Sequence, residues 1–146
     1  MNLQKYTQKS IAALQDLTAI AAEFGNQQVE QGHLLLSLIR QEEGLIPGLL
    51  RKAGVDPKAL QTAAAQLLNS LPKVSGGNAQ PYLSRQLEAV FSEAEREAER
   101  MGDDYVSVEH LMLALFHKGD QSLKKLFSGQ GLTEAAFLTA LKSVRG

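Results

Sequence analysis

The chain has 146 residues, of which 44% are hydrophobic and 21% charged, a composition typical of one globular domain. Its formal net charge of −1 gives no electrostatic basis for binding nucleic acid or an anionic membrane, so we expect neither as a partner. The absence of cysteine excludes disulfides and thiolate chemistry, and the N-terminus lacks the layout of a signal peptide, so we expect a cytoplasmic protein.

The first half of the chain contains four predicted helices. Thr7 is a good N-cap for the first, and Gly25 follows its end, where a C′ residue often needs positive φ. The second is apolar on nearly every side, which predicts a central, buried position. Asp56 and Pro57 begin the fourth as an N-cap followed by proline at the first helical position. The predicted helices cover residues 8–24, 31–41, 45–53 and 57–70.

The second half repeats the first at a constant offset of 77 residues, without a gap from residues 7 and 84 to residues 67 and 144. Gly25 and Gly54 correspond to Gly102 and Gly131 at this offset. Four helices with the same caps and stops are therefore predicted over residues 85–101, 108–117, 121–128 and 134–144. Each repeat resembles one supersecondary unit that needs a partner to cover its apolar face.

These patterns predict an all-α fold of eight helices, arranged as two four-helix repeats related by a pseudo-two-fold axis. We expect one domain over 1–146, with repeat one at 1–71, a linker at 72–81 and repeat two at 82–146. No segment alternates with period two over five residues, so we expect no sheet.

The side chains that could carry chemistry have simpler structural interpretations. His33, His110 and His117 contain no pair at the i, i+4 spacing of a zinc helix, so we expect no metal site. No nucleophile, base and oxyanion constellation is visible, so we expect no catalytic residue. On the long helix of repeat two, Glu93 and Glu97 are expected to pair with arginines on a solvated face.

Two segments nevertheless carry a family signature. They are Tyr6-Thr7-Gln8-Lys9-Ser10 and Val106-Ser107-Val108-Glu109-His110-Leu111-Met112-Leu113-Ala114-Leu115. With these segments the chain resembles the N-terminal domain of the Clp/Hsp100 unfoldases. Its junction, Leu71-Pro72-Lys73-Val74-Ser75-Gly76 followed by Tyr82-Leu83-Ser84, is similar to the ClpB-type disaggregases within that group.

The resemblance implies a domain cut from a longer ATP-dependent disaggregase. The chain has no Gly-x-x-x-x-Gly-Lys-Ser/Thr loop, so we expect no enzyme activity and no cofactor here, with ATP bound elsewhere in the parent protein. The implied partners are unfolded or aggregated polypeptides and the rest of the unfoldase hexamer, reached through a C-terminal linker. Adaptor proteins are a further implied class of partner.

The resemblance also singles out substrate-binding residues. In ClpB-like domains, residues matching Thr7, Asp103 and Glu109 form a surface cluster for aggregated substrates, beside an apolar groove. Tyr105 lies in the loop that leads to Glu109, so we add it to the predicted site. Thr7 has the alternative interpretation of a helix cap alone. Some relatives carry leucines where this chain has Glu93 and Glu97, which leaves the groove's location open.

An alternative parent is a ClpC- or ClpA-type unfoldase, whose N-domain docks adaptors or phosphoarginine-marked substrates for a partner protease. In ClpC the phosphoarginine sites use a glutamate just before the histidine of both repeats. Glu109 keeps that place in repeat two, but Gly32 occupies it in repeat one, which disfavours two equivalent sites.

Overall fold

The computed structural model describes residues 1–74 and 80–145. Its helices are α1 (Gln8–Gln15), α2 (Leu17–Glu23), α3 (Gln31–Arg40), α4 (Leu45–Lys52), α5 (Pro57–Asn69), α6 (Arg85–Arg100), α7 (Val108–Lys118), α8 (Gln121–Gly129) and α9 (Glu134–Arg145). The predicted first helix is divided at Asp16 into α1 and α2, so repeat one has five helical segments where four were predicted, and repeat two has the predicted four. The all-α prediction is confirmed. Residues 75–79 of the predicted linker lie outside the described residues.

Equivalent residues of the two repeats begin and end equivalent helices, as predicted. Thr7 and Ser84 accept a hydrogen bond from the backbone three residues later, at the starts of α1 and α6. Left-handed glycines follow the ends of four helices in two repeat-related pairs, Gly25 with Gly102 and Gly54 with Gly131, at φ from 69° to 86°. Glycine adopts this conformation without the steric cost that a Cβ would add.

Two short parallel pairings join the repeats, and the expectation of no strand was wrong in this detail. Strands β1 (Gln28–Val29) and β2 (Tyr82–Leu83) pair Val29 with Leu83. An isolated bridge pairs Tyr6 with Val106, and these two residues correspond to Leu83 and Val29 at the 77-residue offset. Each repeat therefore contributes its N-terminal segment to the other. Segments of two residues are too short to show an alternating pattern in the sequence.

The two central helices form the core, as predicted from their apolar sequences. Residues 31–39 of α3 are all buried, and so are residues 108–115 of α7 except Glu109. Gln31 is buried among them, and its side chain joins the repeats. Its Nε2 donates to the carbonyls of Gln86 and Lys118, and its Oε1 accepts from the backbone N–H of Asp120.

Both central helices begin with a histidine that completes the cap. The backbone N–H of Glu30 donates to His33 Nδ1 at 2.8 Å, and the N–H of Ser107 donates to His110 Nδ1 at 2.9 Å. Because Nδ1 accepts, Nε2 is the ring nitrogen that donates in both repeats. His33 Nε2 donates to Asn26 Oδ1 at 3.0 Å. Burial lowers the pKa of His33 to about 4.

The position of the core can be tested by truncating one leucine on each central helix. Leu36 is fully buried and Leu113 is 1% exposed, so Leu36→Ala and Leu113→Ala should each lower the free energy of unfolding by about 2–5 kcal/mol. Val144→Ala on α9 is the control, because Val144 is 44% exposed. Urea unfolding measures all three. A loss below about 0.5 kcal/mol for both leucine variants would show that the core lies elsewhere.

His33 should make the domain less stable in acid. The unfolded chain protonates this histidine near its ordinary pKa of 6.5, but the folded chain does so only near 4. Between these values the unfolded state binds more protons, so the free energy of unfolding falls as the pH falls from 6.5 to 4 and then levels off. The loss from this group is on the order of 3 kcal/mol.

The matched variant for this test is Asn26→Asp, which faces His33 Nε2 with a carboxylate as Asp103 faces His110. The carboxylate should raise the pKa of His33 and reduce the loss of stability in acid. Urea unfolding at pH 7, 5.5 and 4.5, with an NMR titration of the imidazole, measures both effects. A His33 that titrates near 6.5 in the unmodified chain would contradict the expectation.

Candidate functional site

The structure brings Asp103 and Glu109 together through an arginine that the sequence did not single out. Arg145, at the end of α9, donates from Nη2 to Asp103 Oδ1 at 2.6 Å and from Nη1 to Glu109 Oε2 at 3.3 Å. Asp103 lies in the loop after Gly102, and Glu109 lies in the first turn of α7. We call Asp103, Glu109 and Arg145 the Arg145 cluster.

Asp103 is held from a second side by the helix cap. His110 Nε2 donates to Asp103 Oδ2 at 2.7 Å, so each oxygen of the carboxylate has its own donor. The Arg145 guanidinium lowers the pKa of Asp103, and the hydrogen bond from His110 acts in the same direction, against partial burial. The carboxylate is therefore ionised at neutral pH and fixed in orientation.

Ser107, His110 and Asp103 have the residue types of a hydrolytic triad, but their geometry is that of a helix cap. His110 Nδ1 lies 3.0 Å from Ser107 Oγ, but its one lone pair already accepts from the backbone N–H of Ser107 at 2.9 Å. Ser107 Oγ accepts from the backbone N–H of His110 in the same cap. In repeat one, Glu30 and His33 form the same cap without a serine. This arrangement supports a structural role for Ser107.

Of the other two predicted residues, Tyr105 lies on the loop that contains Asp103, and Thr7 lies against that loop. The backbone N–H of Thr7 donates to the carbonyl of Val106 at 3.0 Å, which places the start of α1 against the segment after Tyr105. Thr7 Oγ1 accepts from Ser10 N at 3.2 Å, so its capping role is shown. Tyr105 is 57% exposed and presents its ring to solvent.

An apolar pocket adjoins the Arg145 cluster. It lies between the end of α6, the middle of α7 and α9. The residues that line it are Glu97, Met101, Leu113, Leu138, Leu141, Lys142 and Arg145. Arg145 belongs to both features, so the pocket and the polar cluster form one continuous surface.

The expectation that Glu93 and Glu97 lie on a solvated face was wrong. These residues are only 5% and 7% exposed, although they form the predicted ion pairs with Arg96 and Arg100. His117 of α7 covers both, with Nδ1 3.0 Å from a carboxylate oxygen of each. Burial raises the pKa of Glu93, but hydrogen bonds from His117, Arg100 and Arg96 outweigh it and lower the pKa to about 2.

Repeat one has lost the equivalent polar site. The counterparts of Asp103, Glu109 and Arg145 at the 77-residue offset are Asn26, Gly32 and Leu68. Leu68 is fully buried, and its Cδ2 lies 3.1 Å from the place where a Cβ on Gly32 would stand. A glutamate at position 32 would have to displace that packing, so the surface is polar in repeat two alone.

Comparison with solved structures shows the fold. The Hsp104 N-terminal domain of Candida albicans aligns with a TM-score of 0.81 and 24% identity, over 97% of this chain and 92% of that one. The N-terminal domain of ClpD from Arabidopsis thaliana aligns with a TM-score of 0.77 and 21% identity, over 100% and 98%. Within the described ranges, no helix combines the length and apolarity needed to cross a membrane.

Comparison of sequences shows the family. The ClpB chaperone of Clostridium tetani is 38% identical over 149 residues, which cover 100% of this chain and 17% of that protein. The ClpB chaperone of Mycobacterium leprae is 38% identical over 140 residues, covering 96% of this chain and 16% of that protein. This chain thus spans about a sixth of these relatives. A family model described as the Clp repeat (R) N-terminal domain matches residues 5–130, so the chain belongs to the Clp N-terminal domain family.

Proposed function

We propose that this chain is the substrate-recognition domain of a ClpB-type disaggregase and binds exposed apolar segments of unfolded or aggregated proteins. The proposed surface consists of the Arg145 cluster, Thr7, Tyr105 and the adjoining apolar pocket. The observation that carries the proposal is Arg145, which contacts both carboxylates and also lines the pocket. A surface that joins apolar area to oriented charges suits an extended polypeptide.

Each part of this surface matches one need of an unfolded chain. Half-buried Met101 and Leu138 offer apolar area that a client side chain can cover. The Asp103 and Glu109 carboxylates have acceptor capacity for peptide N–H groups, beyond the donors that they already bind. The exposed ring of Tyr105 adds a flat apolar face with little side-chain entropy to lose.

We expect the domain to bind unfolded polypeptides weakly. An unfolded client loses conformational entropy when it is held, and that loss offsets much of the contact energy. An unfoldase must also release its client towards the ATPase modules. In this proposal those modules lie elsewhere in the parent hexamer, beyond a C-terminal linker, and residues 1–146 act as one capture domain. Adaptor proteins could use the same surface.

A ClpC- or ClpA-type parent remains the alternative, with adaptors or phosphoarginine-marked proteins as its partners. Binding of phosphoarginine at two equivalent sites requires a glutamate just before the histidine in each repeat. Glu109 is held by Arg145, but repeat one places Gly32 under Leu68. The ClpB chaperones among the relatives also favour the first proposal.

NMR titration with a permanently unfolded model protein tests the proposed surface. Chemical shift changes should concentrate on Thr7, residues 101–109 and α9. Thr7→Ala and Glu109→Ala should each weaken binding about three- to tenfold, corresponding to roughly 1 kcal/mol for one polar contact.

Two variants in repeat one serve as matched controls. Asp56→Ala removes an exposed N-cap from α5, as Thr7→Ala removes one from α1. Glu23→Ala removes an exposed carboxylate held by Arg40, as Glu109→Ala removes one held by Arg145. Both controls should bind like the unmodified chain. Shift changes confined to α2 through α5, or unchanged binding by both site variants, would contradict the site assignment.

The isolated chain should neither bind nor hydrolyse ATP, because its sequence has no phosphate-binding loop. Isothermal titration with ATP and Mg²⁺ should show no saturable heat, and incubation should release no phosphate. Saturable binding at one site per chain would overturn this expectation. The titration with unfolded protein is independent of this outcome.

A further inference from the structure

A second group of side chains converges around Glu97, which lines the apolar pocket together with Arg145. Glu93 and Glu97 lie one turn apart on α6, and His117 reaches them from α7. His117 Nδ1 is 3.0 Å from Glu93 Oε2 and 3.0 Å from Glu97 Oε1. One donor atom from each residue thus lies within 4.8 Å of the other two, which is the arrangement that a single metal ion needs.

This group differs from an ordinary acidic patch on a surface. Glu93 and Glu97 are 5% and 7% exposed, and they stand on one face of a 16-residue helix packed against α7. Two carboxylates and an imidazole are ligands that Zn²⁺ accepts, at about 2.0–2.2 Å. Tetrahedral ligands at those lengths lie about 3.3 Å apart. The two distances from His117 Nδ1 to the carboxylate oxygens, both 3.0 Å, need to open by only a few tenths of an ångström.

Glu134 supplies the support that metal-binding histidines usually have. Its Oε2 lies 2.7 Å from His117 Nε2, so the ring is held from the far side and Nδ1 points at the two glutamates. A carboxylate on the second nitrogen of a ligating histidine fixes the ring and makes the first nitrogen a better ligand. This contact comes from α9, a third helix.

Arg100 holds the place that an ion would take. Its Nη1 contacts Glu97 Oε1 and lies 3.2 Å from Glu93 Oε2, but its side chain is 53% exposed and can turn out into solvent. Arg96 meanwhile stays on Glu93 Oε1, which leaves Oε2 for the ion. The exchange conserves charge, because a divalent ion replaces one guanidinium and the proton that His117 Nδ1 releases to solvent.

We propose that Glu93, Glu97 and His117 form a binding site for a borderline divalent cation, with Zn²⁺ the best match to two carboxylates and one imidazole. The position vacated by Arg100 opens to solvent and leaves room for a water molecule as the fourth ligand. The ion would cross-link α6 to α7, and through Glu134 to α9. This site does not depend on the proposed polypeptide binding.

Titration of the untagged chain with Zn²⁺ at pH 7.5, in a buffer that does not chelate metal, tests the site. Calorimetry should show one ion per chain, and the melting temperature should rise with Zn²⁺. Glu97→Gln and His117→Ala should each weaken binding at least tenfold. Glu99→Gln, an exposed glutamate on the same helix, is the matched control and should bind like the unmodified chain.

Two further measurements test the site even if a variant of a metal-binding residue folds poorly. Arg100→Ala removes the competing guanidinium and should bind Zn²⁺ several-fold more tightly than the unmodified chain. Imidazole ¹⁵N signals should shift at His117, most strongly at Nδ1, while those of His33 and His110 stay unchanged. The proposal would be overturned if neither the unmodified chain nor Arg100→Ala binds Zn²⁺ saturably. Zn²⁺-dependent shifts at His33 or His110 would also overturn it.

Discussion

The fold depends on the burial of the two central helices, because the other helices of one repeat are too few to cover the apolar surface of its own central helix. Both α3 and α7 are buried along nearly their whole length, although only four short helices of repeat one surround α3 and only three helices of repeat two surround α7. The repeats meet this need by exchange, because each N-terminal segment pairs with the residues just before the other repeat's central helix. Tyr6 extends the exchange, since its buried side chain donates to Glu95 on α6. Neither repeat could leave the other without exposing apolar surface and unpaired backbone.

The scaffold is symmetric, but the candidate site is not. Both central helices use a histidine to complete the cap, and that histidine donates to Asn26 in one repeat and to Asp103 in the other. This single difference turns a neutral contact into one end of a charged cluster. The repeats also differ at two further pairs of equivalent positions. Arg145 contacts Glu109 in repeat two, whereas the equivalent Leu68 packs against Gly32 in repeat one. Function on this fold therefore resides in a few side chains, while packing maintains both copies of the backbone.

The sequence predicted those features that depend on neighbouring residues, and the repeat showed each of these features at two equivalent positions. Helix caps, left-handed glycines and the burial of the central helices each depend on residues within one or two turns. Contacts between distant segments gave no such signal. Arg145 lies 42 and 36 residues from its two carboxylate partners, and nothing near it in sequence marks it. Glu93 and Glu97 fall on the polar face of α6, and the side chain of His117, held by the distant Glu134, lies against them.

The apolar pocket lies between two charged clusters, and this position has a physical consequence. Arg145 borders it on one side, and Glu97, paired with Arg100 and His117, borders it on the other. An open apolar groove invites self-association, and fixed charges at its edge oppose that by the cost of desolvating them. Under the proposed function, an extended client would thread between the clusters and leave their charges unburied, whereas a second flat protein surface would bury them. In that proposal the charged rim favours narrow, unfolded partners over folded ones.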